Sequence, residues 1–330
     1  MTKIAIIGCG KQAPKHINGL RKAYPNIEII VADRNEQAAK ALGEAQGVEW
    51  SNEPQDVLVD PTIDAIDICT PTSTHTRLIL KALENGKDFF CEKPLCRTLE
   101  EAEQILSKMN ETGRIGMVGY IYRFAPVFEA AYKAFEEKAL GDIASAQFRI
   151  GGRGSHQLWK HLREKDGGAI NEMLVHMLDL AVWYFGDVQN AEVLINDLRR
   201  PRRSIQGSEH DVDAEDYVLV RCKMADGTDV LLQADMVTPA FTQHVEIQGD
   251  NGTFMGSIQQ DMPSFLFLQE PANDFKAGKT DLSTEQADLF GNQMSEFINA
   301  IKTRKQPSRC SVEDSIKVMR AIQNIKEKAA

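Results

Sequence analysis

Lys3-Ile4-Ala5-Ile6-Ile7-Gly8-Cys9-Gly10-Lys11-Gln12-Ala13 is the stretch that sets the fold. Its first half is a continuous apolar run, the pattern of a central parallel strand covered on both faces. The turn that follows has the spacing Gly-x-Gly-x-x-Ala. Gly8 permits a tight turn, Gly10 lets a pyrophosphate approach the backbone, and the small Ala13 lets the next helix pack on the strand. The amides at the start of that helix, which Lys11 and Gln12 lead into, suit the phosphate charge.

The regularity continues outward. The helix runs to about Tyr24, and Glu28–Ala32 reads as a second strand ending at Asp33. An acid roughly 20 residues past the glycines suits the adenosine ribose hydroxyls. Arg34, its neighbour, could accept a 2′-phosphate, but Asp33 would repel one, so NAD is the expected cofactor and NADP stays open. Helix 36–46, strand 47–50, strand 65–69 and a helix ending near Asn85-Gly86 follow. Thr70-Pro71 opens the turn before that last helix, and His75 begins it. A helix over 99–111 and a strand over 115–119 complete an alternation that predicts a doubly wound parallel sheet.

Within this unit, Phe89-Phe90-Cys91-Glu92-Lys93-Pro94-Leu95 begins as a buried strand and ends in a charge pair closed by proline. Proline halts the strand and biases Lys93 toward extended backbone. A lysine at a strand's carboxyl end sits where open α/β sheets bind ligands. Alone, the Glu92-Lys93 pair would read as a surface ion pair.

The composition is that of a globular chain: 330 residues, 42% hydrophobic and 26% charged. That length exceeds the usual single core, so two domains are expected. A formal charge of −10 gives no attraction to nucleic acid or an anionic membrane. No apolar run approaches the roughly 20 residues a span requires, and Met1-Thr2-Lys3 leads directly into a strand, leaving no room for a signal peptide. The six cysteines form no Cys-x-x-Cys pair. Reduced thiols in a cytoplasmic protein are expected, without disulfides or a zinc site.

Asn171–Phe185 reads as an apolar helix. Glu172, His176 and Asp179 fall at i, i+4 and i+7, a single titratable stripe just after the Gly167-Gly168 turn. A structural role is expected for Asp179. Gly151–Asp166 is polar and aromatic, with Arg153, His156, Gln157, Trp159, Lys160 and His161 suited to sugar hydroxyls, and Trp159 to a pyranose face. The run Arg199-Arg200-Pro201-Arg202-Arg203 could recognise a phosphate or carboxylate or face a neighbouring subunit, but a charge run is usually solvated loop and it is left out of the site. Short alternating strands follow from Ala191, with hairpin signals at Asp226-Gly227 and Asp250-Asn251-Gly252. Two helices, about Glu285–Lys302 and Val312–Lys326, close the chain.

The motifs in order are Gly8-Cys9-Gly10, Thr70-Pro71-x-x-x-His75, Glu92-Lys93-Pro94, Arg123-Phe124-Ala125-Pro126 and Gly167-Gly168-Ala169-Ile170-x-Glu172-x-x-x-His176-x-x-Asp179. Together they resemble the glucose–fructose oxidoreductase / inositol dehydrogenase / MocA family over nearly the whole chain. The resemblance implies a Rossmann domain over 1–122 and a substrate-binding and oligomerisation α/β domain with a large, mostly antiparallel sheet over 123–330. It implies NAD(P)-dependent oxidation at a secondary alcohol of a sugar, polyol or derivative, and a homodimer or homotetramer built through the second domain's sheet. Lys93 and His176 would act at the carbon undergoing hydride transfer, with Glu172 beside them. The dinucleotide would be held by Gly8, Gly10, Lys11, Gln12, Asp33, Arg34, Thr70, Pro71, His75, Glu92 and Lys93. The substrate would meet Lys93, Tyr122, Arg123, His156, Trp159, Glu172 and His176. The family's acid four residues before the histidine is often aspartate, whereas this chain has Glu172. Leu174 stands where a glycine is frequent.

Oxidation of an alcohol needs a base near the hydroxyl with a pKa near neutrality. His176 suits that with Lys93 stabilising alkoxide charge, and the reverse assignment also fits. Two further readings use the same fold: glycoside hydrolysis through transient redox with retained NAD, and dinucleotide sensing without catalysis.

Overall fold

The structure, a computed structural model, describes residues 2–154, 157–282 and 287–329. The chain divides into two compact units, Met1–Ile121 with Asp288–Ile316 and Tyr122–Ala287 with Lys317–Ala330.

The first unit contains strands β1 (Lys3–Ile7), β2 (Glu28–Ala32), β3 (Glu49–Ser51), β4 (Ala65–Ile68), β5 (Asp88–Cys91) and β6 (Gly116–Val118). They form one sheet in the order β3-β2-β1-β4-β5-β6, every pair parallel. Its helices in this part of the chain are α1 (Ala13–Ala23), α2 (Glu36–Gln46), α3 (Pro54–Val59), α4 (His75–Glu84) and α5 (Leu99–Thr112). The strand order reverses between β1 and β4, the switch point at which such sheets bind ligands. Ile4, Ile6, Ile66, Ile68, Phe89 and Phe90 are wholly buried, as expected of strands covered on both faces. Local chemistry sets the helix ends. The Asn35 side chain accepts the Ala38 N–H and Gly47 closes α2 in the left-handed region. Thr98 and Gly113 do the same for α5.

The second unit contains α6 (Pro126–Glu136), β7 (Ile143–Gly151), α7 (Val175–Phe185), β8 (Val188–Asp197), β9 (Arg202–Ile205), β10 (Ser208–Asp211), β11 (Tyr217–Met224), β12 (Asp229–Asp235), β13 (Thr242–Gly249), β14 (Gly252–Gly256), β15 (Phe265–Leu268) and β16 (Gly278–Asp281). Its large sheet has the order β16-β15-β14-β13-β7-β12-β11-β8. All neighbours are antiparallel except β12 and β7. One face is buried: on β11, Val218, Val220, Cys222 and Met224 point inward while Arg221 and Lys223 are exposed.

Several features depart from the sequence reading. Strand β7, at the centre of the large sheet, was not anticipated, because Gln147 and Arg149 break its apolar character. Its Ala146, Phe148 and Ile150 are nevertheless buried at a period of two. The arginine run is not simply a solvated loop. Its last two members begin β9, which pairs with β10 in a hairpin, and Arg203 is buried against Asp216 at 2.9 Å. The chain also returns to the first unit through α8 (Leu289–Thr303), before ending in α9 (Val312–Ala329). A division into 1–122 and 123–330 does not contain that return. Helix α8 packs on α1 where Gly19 has no side chain: a Cβ there would lie 2.7 Å from the Phe290 carbonyl oxygen.

Candidate active site

In the first unit the residues expected to hold the dinucleotide lie at the carboxyl ends of β1, β2, β4 and β5. Gly8 has φ +101°, and a Cβ on it would sit 2.7 Å from the Cys69 carbonyl oxygen, so only glycine lets β1 turn away beside β4. Gly10 is exposed, and nothing lies within 4 Å of where its Cβ would be. Lys11 and Gln12 are exposed beside it. Gln12 makes no side-chain cap on α1, so the helix start is open to an anion. The Asp33 carboxylate accepts the Cys9 N–H and the Asn35 N–H, each at 2.9 Å. Those bonds fix it, half-buried, at the end of β2, with Arg34 exposed beside it. An open glycine turn, an uncapped helix start and an oriented carboxylate fit a dinucleotide: the first two would receive its pyrophosphate and Asp33 a ribose hydroxyl.

The Thr70-Pro71 loop and the Glu92–Pro94 turn are tied together. His75 is 1% exposed, with Nδ1 3.0 Å from the Pro94 carbonyl oxygen and Nε2 2.9 Å from that of Thr70. Burial lowers its pKa, against two carbonyls that favour the charged ring. The neutral ring therefore donates to one carbonyl at a time. Its place is between the two loops, as a brace. The Thr70 hydroxyl is 2.7 Å from that of Thr74. Glu92 accepts a hydrogen bond from His16 Nε2 at 3.0 Å, and its other oxygen is 3.3 Å from the Lys93 amide nitrogen. Lys93 is half-buried just past the end of β5.

In the second unit His176 lies in the first turn of α7, half-exposed, with the Tyr122 ring 5.0 Å away. Burial raises the Tyr122 phenol above its usual value, so it stays a neutral hydrogen-bonding group. The residues before α7 do not continue the expected α-helix. Ile170–Leu174 forms a π turn, in which the Val175 N–H reaches back five residues to the Ile170 carbonyl. Such turns recur at functional sites, and this one carries Glu172 and changes its register with His176. Glu172 pairs with Lys160, Oε2 to Nζ 2.5 Å. The Lys160 ammonium also lies 5.1 Å from the Trp159 ring centre.

The stripe read from sequence therefore divides. Glu172 and His176 are half-exposed, but Asp179 is 1% exposed. Asp179 holds Arg123, whose Nη2 is 2.8 Å and Nε 3.0 Å from its carboxylate. Arg123 is itself 1% exposed, which gives it the place of a buried support next to Tyr122. His156 lies outside the described residues. Sequence reasoning missed the His16–Asp67–Glu92 cluster described below. Its only signals were a histidine on the apolar face of α1 and an aspartate inside the apolar strand β4.

Comparison with known proteins agrees with this architecture. Residues 2–120 match the model of the Gfo/Idh/MocA oxidoreductase family, NAD-binding Rossmann fold, and residues 128–255 match that family's C-terminal domain. The chain is 28% identical over 321 residues to scyllo-inositol 2-dehydrogenase (NAD(+)) of Bacillus subtilis, covering 95% of this chain and 90% of that protein. It is 26% identical over 312 residues to inositol 2-dehydrogenase of Rhizobium meliloti, covering 91% and 88%. Among solved structures, a levoglucosan dehydrogenase in complex with NADH and L-sorbose superposes with a TM-score of 0.88 at 21% identity, over 100% of this chain and 97% of that one. With both domain models matched in order and a nucleotide half-site to fit, the chain belongs to the Gfo/Idh/MocA family of oxidoreductases and carries that family's NAD-binding Rossmann domain.

Proposed function

We propose that the protein is an NAD-dependent dehydrogenase acting on a secondary alcohol of a cyclitol or sugar. The observation that carries this reading is the near full-length likeness to inositol dehydrogenases, together with half-exposed Lys93 and His176. Bound NAD supplies the hydride acceptor. His176 takes the hydroxyl proton, the general-base role open to a histidine. Lys93 stabilises the negative charge that develops on an alkoxide. Glu172, anchored by Lys160, orients the substrate and exchanges a proton with His176. Tyr122 and Trp159 offer ring faces to the substrate, and Thr70 and Pro71 border the dinucleotide.

Two accompanying readings have narrower support. A homo-oligomer assembled through the outer face of the large sheet fits the exposed Phe267, at 45%, and a sedimentation measurement of mass checks it. A cytoplasmic setting fits the buried thiols of Cys91 and Cys222. No helix among the described residues is long and apolar enough to cross a membrane.

The test mixes purified protein with NAD⁺, and separately NADP⁺, against cyclitols, sugars and sugar acids, and follows reduced-nicotinamide absorbance. Steady reduction with one substrate class and NAD⁺ is expected. Binding of NAD⁺ with no reduction across the panel would overturn the dehydrogenase reading.

A further inference from the structure

His16, on α1, is wholly buried, and the chemistry proposed above does not use it. Its Nδ1 lies 2.9 Å from Asp67 Oδ2 and its Nε2 3.0 Å from Glu92 Oε1. Carboxylates only accept, so the ring donates to both only when both nitrogens carry protons. The groups facing it are Asp67 on β4, the Cys69 thiol 3.3 Å from Nδ1, Glu92 after β5, the Phe90 ring on β5 at 5.4 Å and the Phe290 ring on α8 at 5.6 Å. Burial lowers the ring's pKa, but the charge and hydrogen bond of Asp67 together with the Cys69 sulfur outweigh it and hold the pKa well above the usual value. Burial pushes the Cys69 thiol up to about 12, so the charged groups of the cluster are one imidazolium and the two carboxylates it joins.

We propose that His16 is a positioning residue for hydride transfer: clasped between Asp67 and Glu92, it fixes the Glu92 carboxylate and, through it, the turn that carries Lys93. The contacts form a chain within the first unit. Asp67 anchors His16, His16 holds one oxygen of Glu92, and the other oxygen of Glu92 accepts the Lys93 N–H at 3.3 Å. From the opposite side His75 holds the Pro94 carbonyl at 3.0 Å. Glu92 and Pro94, on either side of Lys93, are therefore held by histidines of two different helices. A displacement of about 1 Å in a catalytic group costs on the order of 100-fold in rate. Fixing the backbone of Lys93 is worth that much.

The inference rests on the role given to Lys93, and the experiment separates the two. His16→Gln keeps a donor for only one carboxylate. We expect kcat to fall about 100-fold, with KM and the NAD dissociation constant, read by protein fluorescence, changing less than about threefold. Asp67→Asn keeps the shape, weakens the anchor and loses about tenfold. Wild-type kcat in both variants overturns the proposal. So does a loss of NAD affinity as large as the loss of kcat, which would make His16 a dinucleotide-binding residue.

A second measurement needs no turnover: the acylation rate of Lys93, followed by peptide mass spectrometry in wild type and His16→Gln. A changed rate supports the proposal and an unchanged one overturns it. A wild type that reduces no NAD across the panel sinks the dehydrogenase reading instead, with the Lys93 rate still deciding whether His16 sets the turn. Should neither variant fold, side-chain nitrogen NMR of the wild type decides: an imidazolium at mildly alkaline pH supports the clasp and a neutral ring overturns it.

Discussion

Glu172 and Lys160 form an ion pair, Oε2 to Nζ 2.5 Å, at 12% and 25% side-chain exposure. An aspartate at this position is one methylene shorter and falls short of Lys160. Glu172→Asp is therefore expected to act like Lys160→Met, each lowering kcat/KM about tenfold by freeing the acid beside His176. The double variant is expected to lose no more than the worse single one, because both remove the same contact. Steady-state kinetics on the four proteins checks this, and independent, multiplying losses would refute the coupling.

Arg123 and Asp179 are a deeper pair, each 1% exposed, with the Trp183 ring 5.6 Å from the guanidinium carbon. Removing one partner leaves a charge buried without its counterion. Asp179→Ala is expected to destabilise the fold by about 3–5 kcal/mol. Replacing both, as Arg123→Met with Asp179→Leu, is expected to recover most of that loss. Urea unfolding midpoints of the two variants provide the measurement.

Much of the first unit was legible because its signals are local. An apolar strand, two glycines and an acid after the second strand are adjacent in sequence, and each has one physical meaning. The His16 cluster was not legible in that way. His16, Asp67 and Glu92 are 51 and 76 residues from one another along the hydrogen bonds that join them to the histidine, and only strand order brings β4 and β5 beneath α1. The π turn was equally hidden, since Ile170–Leu174 has the composition of an ordinary apolar helix. Lys160 was seen as one of several polar loop residues, but its pairing with Glu172 depends on how 157–166 folds back. The burial of Arg203 ran against a charge pattern that reads as surface, because its partner Asp216 comes after the β9–β10 hairpin, 13 residues along the chain.

Cofactor choice turns on Asp33. Its two oxygens accept the Cys9 and Asn35 amides, so the negative charge is fixed at the end of β2 with Arg34 exposed beside it. Asp33→Ser removes the charge that repels a 2′-phosphate and leaves the arginine that attracts one. We expect the ratio of kcat/KM for NAD⁺ over NADP⁺ to fall about 100-fold, corresponding to about 3 kcal/mol of lost discrimination. An unchanged ratio would mean that some other group reads the ribose.

The His16 clasp also sets a pH signature on stability. A histidine whose folded pKa lies above its unfolded 6.5 contributes fully below 6.5, and the contribution is lost as pH rises through the folded value. Burial pushes Glu92 up, but the hydrogen bond and charge of His16, with the charge and amide of Lys93, together outweigh it and hold the carboxyl below its usual 4.5. Glu92 therefore contributes fully above 4.5, and its share is lost as pH falls through the lower folded value. Both contributions are complete only between 4.5 and 6.5. In urea unfolding, the stability gap between wild type and His16→Gln is expected to be widest in that window and to narrow on either side. Removing one partner of a buried pair sets its size at about 3–5 kcal/mol. A gap that stays flat from acid to alkaline pH would mean that His16 packs there as a neutral ring, with its two carboxylates held by other partners.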